Sequence, residues 1–230
     1  MMKLGISTLV WGRVDVFHFW AKNVLATFGK IPVAVAYSEP FYKDIIRSYG
    51  FIDVFCENRP LGVKANKSVQ ALKGFCDHVI TTGSDDVFSA NMPQIYSQHV
   101  NFDYFGFLDC FFFNYDNGHT RYWNGYTCAR KGEPIGAGKM LSASVLDRLE
   151  WQPFGESNDV GLDGTLNSRM KSMNAKTKFV YLTSFNNAYI VDIKKDNNLT
   201  SWETVCRITH QTDTNWINHV NYDTPYGNNL

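Results

Sequence analysis

Two adjacent carboxylates, Asp85 and Asp86, close the stretch Val79-Ile-Thr-Thr-Gly-Ser-Asp-Asp86. Like charges this close repel each other and stay ionised only with positive charge beside them. A hard divalent cation, Mg²⁺ or Mn²⁺, carrying a substrate phosphate meets that need, because such an ion takes one or two protein carboxylates and keeps positions for phosphate and water. Val79-Ile-Thr81 is a short apolar run of strand length, and Gly83-Ser84 ends it. The pair therefore falls at a strand exit, where open α/β sheets bind their ligands. The competing explanation is a solvated turn, for which Gly-Ser-Asp-Asp is equally good chemistry.

The elements that must position this pair follow from hydrophobic periodicity. Residues 4–10, 31–37, 51–55 and 79–81 are apolar runs of strand length. Between them, 16–28, 40–49 and 64–75 carry apolar residues at helical spacing and end on Gly29, Gly50 or a polar turn. Strands alternating with helices through brief turns predict a mostly parallel sheet covered by helices. The second half differs in texture. Residues 102–113 form an aromatic, strand-like run, 114–118 a hairpin turn and 120–126 a return strand. Further on come a loop at 131–138, helices at 141–149 and 165–173, and strands at 178–183 and 188–193. This half predicts a smaller antiparallel sheet. The reading is one domain over 1–230, with a first half (1–100), a second half (101–210) and a peripheral tail (211–230).

Composition narrows the class. The 230 residues are 44% hydrophobic, enough for one sizeable core, and 22 basic residues balance 22 acidic ones. No strongly basic face for a nucleic-acid backbone is advertised, although Arg121, Arg130, Lys131 and Lys139 fall close together in sequence. Five cysteines without a CxxC pair argue against a disulfide framework and a zinc site. No apolar stretch approaches the length of a membrane span, and the expected location is cytoplasmic.

The ordered set of segments resembles GT-A glycosyltransferases, which use nucleotide-diphosphate sugars. Four features carry the resemblance: the first strand ending in Trp11-Gly-Arg13; Gly62-Val-Lys-Ala-Asn66 opening a helix before Ser84-Asp-Asp86, a variant of the acidic metal motif; Gly136-Ala-Gly-Lys-Met-Leu-Ser142; and Gly161-Leu-Asp-Gly164 before a helix. It spans roughly residues 4 to 195 and implies that 1–100 is a nucleotide-binding half and 101–210 an acceptor and catalytic half. By this resemblance Asp86 is a metal ligand, and Asp85 supports the metal or accepts a hydrogen bond from the ribose. Thr8, Arg13 and Lys64 fall where the family cradles the nucleotide. Asp163 matches the catalytic acid and is the expected general base, with a helix N-cap as its alternative role; Glu156 and Asp159 stand in reserve. Gly136-Ala-Gly138, read as opening a helix, would offer backbone N–H groups to a hydroxyl or phosphate.

One departure stands out. Many relatives complete the metal site with a His near the last strand, where this chain has Ile190-Val-Asp-Ile-Lys194. Asp192 is the expected replacement ligand, with His210 as its rival, and Lys194 would reach the diphosphate. The resemblance implies a metal-dependent hexosyltransferase with a UDP-sugar as expected donor and a hydroxyl acceptor: a glycan, a small molecule, a protein or a modified nucleic-acid base. The alternatives are a nucleotidyltransferase and a catalytically dead nucleotide-sugar-binding module.

Overall fold

A computed structural model describes residues 3–156, 159, 161–195, 200–213 and 215–220. The first half runs β1 (Leu4–Val10), α1 (Val14–Phe28), β2 (Val33–Tyr37), α2 (Tyr42–Ser48), β3 (Ile52–Phe55), α3 (Leu61–Gln70), β4 (His78–Thr81), β5 (Asp86–Phe88) and α4 (Met92–Ser97). The second half runs β6 (Tyr104–Phe107), β7 (Cys110–Asn114), β8 (Thr120–Trp123), β9 (Lys139–Ser142), α5 (Ala143–Arg148), α6 (Leu162–Ser172), β10 (Thr177–Val180), β11 (Ile190–Lys194), α7 (Trp202–Ile208) and β12 (His210–Thr212). The central sheet has the order β10-β6-β9-β4-β1-β2-β3 and is parallel except for β9. Helices flank it, so β2 is buried along its whole length and reads as an uninterrupted apolar run. A second sheet has the order β12-β8-β7-β11-β5. This is an α/β fold of the GT-A type.

The two halves interlock. β5 leaves the first half to pair with β11, while β6, β9 and β10 extend the central sheet from the second half. One core runs from Trp20, Val24 and Ile80 to Met140 and Ile190. A second, on the opposite face of the central sheet, gathers Val69, Leu72, Leu141 and Leu166.

Several expectations need correction. The strand expected over 102–113 is two strands in different sheets, β6 and β7. The chain switches sheets at Leu108-Asp109, and the Asp109 carboxylate accepts bonds from Leu182 N, Thr183 N, Thr183 Oγ1 and the Tyr122 hydroxyl. The helix expected from 141 begins only at Ala143, because Lys139–Ser142 pairs antiparallel between β4 and β6. Ser142 then caps α5 by accepting from Val145 N (3.2 Å). The second sheet is mixed rather than antiparallel: β11 lies parallel to β7, which the long crossover between them permits.

The expected tail is not wholly peripheral. Trp216 is buried and donates from Nε1 to Thr120 Oγ1 (3.0 Å), and Val220 bridges to Ser89. Residues 221–230 of that tail, and 157, 158 and 160 of the loop before α6, lie outside the described residues.

Candidate active site

The acid pair sits at the exit of β4. Asp86 begins β5, and β5 pairs antiparallel with β11 so that Asp86 faces Asp192 directly across the ladder. Carboxylate oxygens of Asp85, Asp86 and Asp192 all lie within 4.8 Å of one another. Asp86 is buried, and its Oδ2 accepts from Thr82 Oγ1 (2.9 Å) and Gly83 N (2.6 Å). Burial, followed by the like charges of Asp192 and Asp85, holds its carboxyl well above the usual carboxylate range. Burial also pushes Asp192 up to about 6, against the opposing charge of Lys194. Asp192 Oδ1 is buried with no hydrogen-bond partner, an uncommon and costly state for such an atom. Three converging carboxylates, one of which carries an orphaned oxygen, form a donor set that suits a hard divalent cation.

Gly83 makes the cluster possible. A Cβ there would overlap Asp85 Oδ1 and lie 3.0 Å from Asp86 Oδ2. Neither Thr82 nor Gly83 stood out in the sequence as more than strand-end chemistry. Their spacing of four and three residues from Asp86 is the signal that was there to read.

Two cations flank the acids. Arg13 Nη1 bonds Asp85 Oδ2 at 3.0 Å, from a residue held at φ 43 immediately before α1. This pairing differs from the Asp15 partner that sequence proximity suggests; Asp15 instead pairs with Lys195. Lys194 Nζ bonds Asp192 Oδ2 at 2.7 Å. Burial works to lower the Lys194 ammonium, and the charges of Asp192, Asp85 and Asp86 override it, so it stays above its ordinary value.

Thr8 and Lys64 lie deeper. The Thr8 hydroxyl is buried within β1 without a partner. Lys64 is buried, and its Nζ donates to Val10 O (2.8 Å) and Asn58 Oδ1 (2.9 Å), fixing the end of β1. The turn after β1 is further held by Glu39, which accepts from Gly12 N (2.8 Å), and by Tyr42, whose hydroxyl donates to Gly12 O. Nothing local in the sequence pointed to Glu39.

Asp163 lies in the first turn of α6, behind Gly161 at φ 72, and does not serve as the cap. Its carboxylate is ion-paired with Lys139, a buried ammonium on β9. Lys139 pairs with Thr81 at the end of β4, so Asp163 is held alongside the same strand exit as the acid pair. A Cβ on Gly136 would lie 3.2 Å from Asp163 Oδ2, so this exposed glycine keeps the carboxylate approachable. Gly136-Ala-Gly138 leads into a strand, not a helix, so the helix-end N–H groups expected there do not exist. Of the reserve acids, Asp159 caps the start of α3 by accepting from Leu61 N (3.1 Å), and Glu156 is exposed.

His210 sits on β12, at the far edge of the second sheet from β5. Three strand spacings, about 14 Å, separate it from β11. The register brings Asp192, not His210, to the acid pair. The basic cluster also dissolves: Arg121 bonds Thr209, Arg130 bonds Glu133, and Lys139 is buried on Asp163.

No family model matches the sequence, and no curated protein matches it. Among solved structures, residues 1–349 of TarS from S. aureus in complex with UDP-GlcNAc superpose with a TM-score of 0.58 at 14% identity, covering 86% of this chain and 60% of that one. The same TarS segment with UDP gives 0.57 at 13% identity, covering 84% and 61%. The chain thus spans about three-fifths of the TarS segment. The 4-diphosphocytidyl-2C-methyl-D-erythritol synthase of Anaerococcus prevotii matches at 0.52 and 10% identity, covering 78% and 87%. These likenesses establish the shared fold. Among the described residues, no helix is long and apolar enough to cross a membrane.

Proposed function

We propose that this chain is a metal-dependent glycosyltransferase that moves a sugar from a nucleotide-diphosphate sugar, a UDP-sugar first among them, to a hydroxyl acceptor. The observation that carries this reading is the meeting of Asp85, Asp86 and Asp192 at the sheet edge, with Arg13 and Lys194 beside them. A divalent ion on Asp86 and Asp192, with Asp85 alongside, would supply Lewis-acid neutralisation of the diphosphate. Lys194 and Arg13 add charge-assisted donors for the same phosphates. The UDP-GlcNAc bound by TarS, a protein of the same fold, favours a UDP-sugar.

Transfer proceeds with inversion in this reading. The acceptor hydroxyl oxygen forms a bond to the anomeric carbon as the bond from that carbon to the diphosphate oxygen breaks. The electron pair leaves with the nucleoside diphosphate, and the hydroxyl proton passes to the Asp163 carboxylate. Lys139 orients that carboxylate from behind, and Gly136 leaves room for the acceptor in front.

Calorimetric titration with UDP, with and without Mn²⁺, tests the donor site, and a screen of UDP-sugars for hydrolysis identifies the sugar. UDP affinity indifferent to Mn²⁺ would remove the metal from the proposal. The synthase of similar fold motivates a second reading, nucleotidyl transfer. Against it, the turn after β1 is short and held shut by Glu39 and Tyr42, unlike an open phosphate loop. Pyrophosphate release from a nucleoside triphosphate and a sugar phosphate would favour that reading instead.

A further inference from the structure

A cavity of about 310 Å³ opens between the segment after β8 and the turn after β10. That is the lower end of the size range for small-molecule sites. Leu108, Asn124, Tyr126, Lys131, Glu133 and Tyr181 are among the residues that line it.

Its walls are built, not incidental. Gly125 sits at φ 85, and a Cβ there would overlap the Leu108 carbonyl oxygen, so the loop can press this close only with glycine. Tyr126 is locked between the Arg130 guanidinium, 3.5 Å from its ring centroid, and the edge of Trp123. Arg130 is itself fixed by Glu133 at 2.9 Å. The buried Asp109, next to Leu108, ties both sides together: it accepts from Tyr122, two residues before Asn124, and from Leu182 and Thr183, just after Tyr181.

The cavity is also tied to Asp163. Asn167 lies one helical turn after Asp163 and donates to Glu133 Oε2 at 3.1 Å. Residues four apart share a helix face, so α6 turns its base and its pocket contact in one direction. Only Pro134 and Ile135 separate Glu133 in the pocket wall from Gly136 against the Asp163 carboxylate.

We infer that this cavity is the acceptor subsite and that it takes a neutral pyranose ring, presenting one hydroxyl of that ring toward Asp163. The inference rests on the glycosyltransferase reading and narrows its acceptor to carbohydrate. Tyr181 is 41% exposed, a large aromatic left open at a pocket rim. The negative face of such a ring attracts the slightly positive C–H edges of a pyranose. Asn124, Lys131 and Glu133 supply donors and acceptors at the scale of ring hydroxyls. The lining carries one ammonium, Lys131, and one carboxylate, Glu133, already paired with Arg130, so it lacks the row of cations that a polyanion needs. The neighbouring basic side chains Arg121, Arg130 and Lys139 are spent on internal partners, so they do not form a track for a nucleic-acid backbone.

Saturation-transfer NMR on the full chain, without nucleotide or metal, tests the inference with methyl α- and β-glucoside, methyl β-N-acetylglucosaminide and cellobiose as probes. At least one ring should receive saturation, with affinity falling about threefold to tenfold in Tyr181→Ala, the scale of one aromatic contact. Lys131→Ala, a second exposed position, should weaken the same probe. No saturation of any glycoside at millimolar concentration would overturn the inference, as would affinities unchanged in both variants. Binding of a single-stranded DNA oligomer instead of the glycosides, weakened in Lys131→Ala, would also overturn it. Because no nucleotide is present, failure here is distinct from failure of the donor site, which the UDP titration reads separately.

Discussion

Asp86 and Asp192 stand directly opposite each other across the β5–β11 ladder, although more than a hundred residues separate them in the chain. Like charges placed so are destabilising in a sheet, and here burial raises the cost. The orphaned Asp192 Oδ1 shows that internal hydrogen bonds do not repay it. On the proposed reading, a bound divalent cation offsets this local loss of stability.

Replacing Asp86 by Asn should therefore separate stability from function. The amide oxygen can still accept from Thr82 and Gly83, while the repulsion disappears. Without metal, the variant should melt higher than the parent by a few degrees, corresponding to about 1 kcal/mol. The rise in melting temperature that Mn²⁺ gives the parent should vanish. Differential scanning calorimetry with and without Mn²⁺ reads both effects, and a lower metal-free melting point would contradict the account.

Gly83→Ala tests the cradle rather than the ligands. Its Cβ would push Asp85 and Asp86 out of position while leaving β4 intact. Metal affinity should fall about tenfold to a hundredfold, the range for displaced supporting groups around a metal. Mn²⁺ titration monitored by electron paramagnetic resonance, with circular dichroism as the check on folding, decides it.

Asp163→Asn should lower kcat at least about a hundredfold with the donor KM little changed. It also strands the buried Lys139 charge. That should cost about 2–3 kcal/mol of stability, less than for a wholly enclosed pair because the Asp163 side chain is 30% exposed. The double variant Lys139→Met/Asp163→Asn should regain stability and leave turnover low. Turnover recovering along with stability would reduce Asp163 to a structural partner.

Lys64→Met discriminates a donor contact from a structural prop. The substitution leaves Val10 O and Asn58 Oδ1 without their buried donor, at a cost of about 1–3 kcal/mol. The melting temperature should drop, and the donor KM should rise only through the loosened Trp11-Gly-Arg13 turn. A Lys64→Met protein of parental stability with sharply weaker UDP binding would restore the direct-contact role.

Trp216→Ala probes the C-terminal segment. Loss of a buried indole and its bond to Thr120 should cost about 3–5 kcal/mol, read as an early thermal transition. A neutral effect would return residues 215–220 to the status of an appendage.

The sequence by itself determined the layers of the first half and the place of the acid pair at a strand exit. Buried parallel strands such as Val33–Tyr37 are apolar on both faces, and helices such as Val14–Phe28 repeat their apolar residues at helical spacing, so both are written locally. Asp192 could be singled out only through the resemblance, as an acid at the strand end where relatives carry a His. Tertiary structure alone decided what sits opposite what. Periodicity carries no mark where β6 ends and β7 enters another sheet, because the reason is a buried Asp109 bonded to residues more than seventy positions away. A four-residue strand such as Lys139–Ser142 is too short to tell from a helix start, and only its place between β4 and β6 fixes it. The pairings Arg13–Asp85, Lys139–Asp163 and Asp86–Asp192 span from 24 to 106 residues of chain. Register and burial, which no local pattern encodes, bring those charges together.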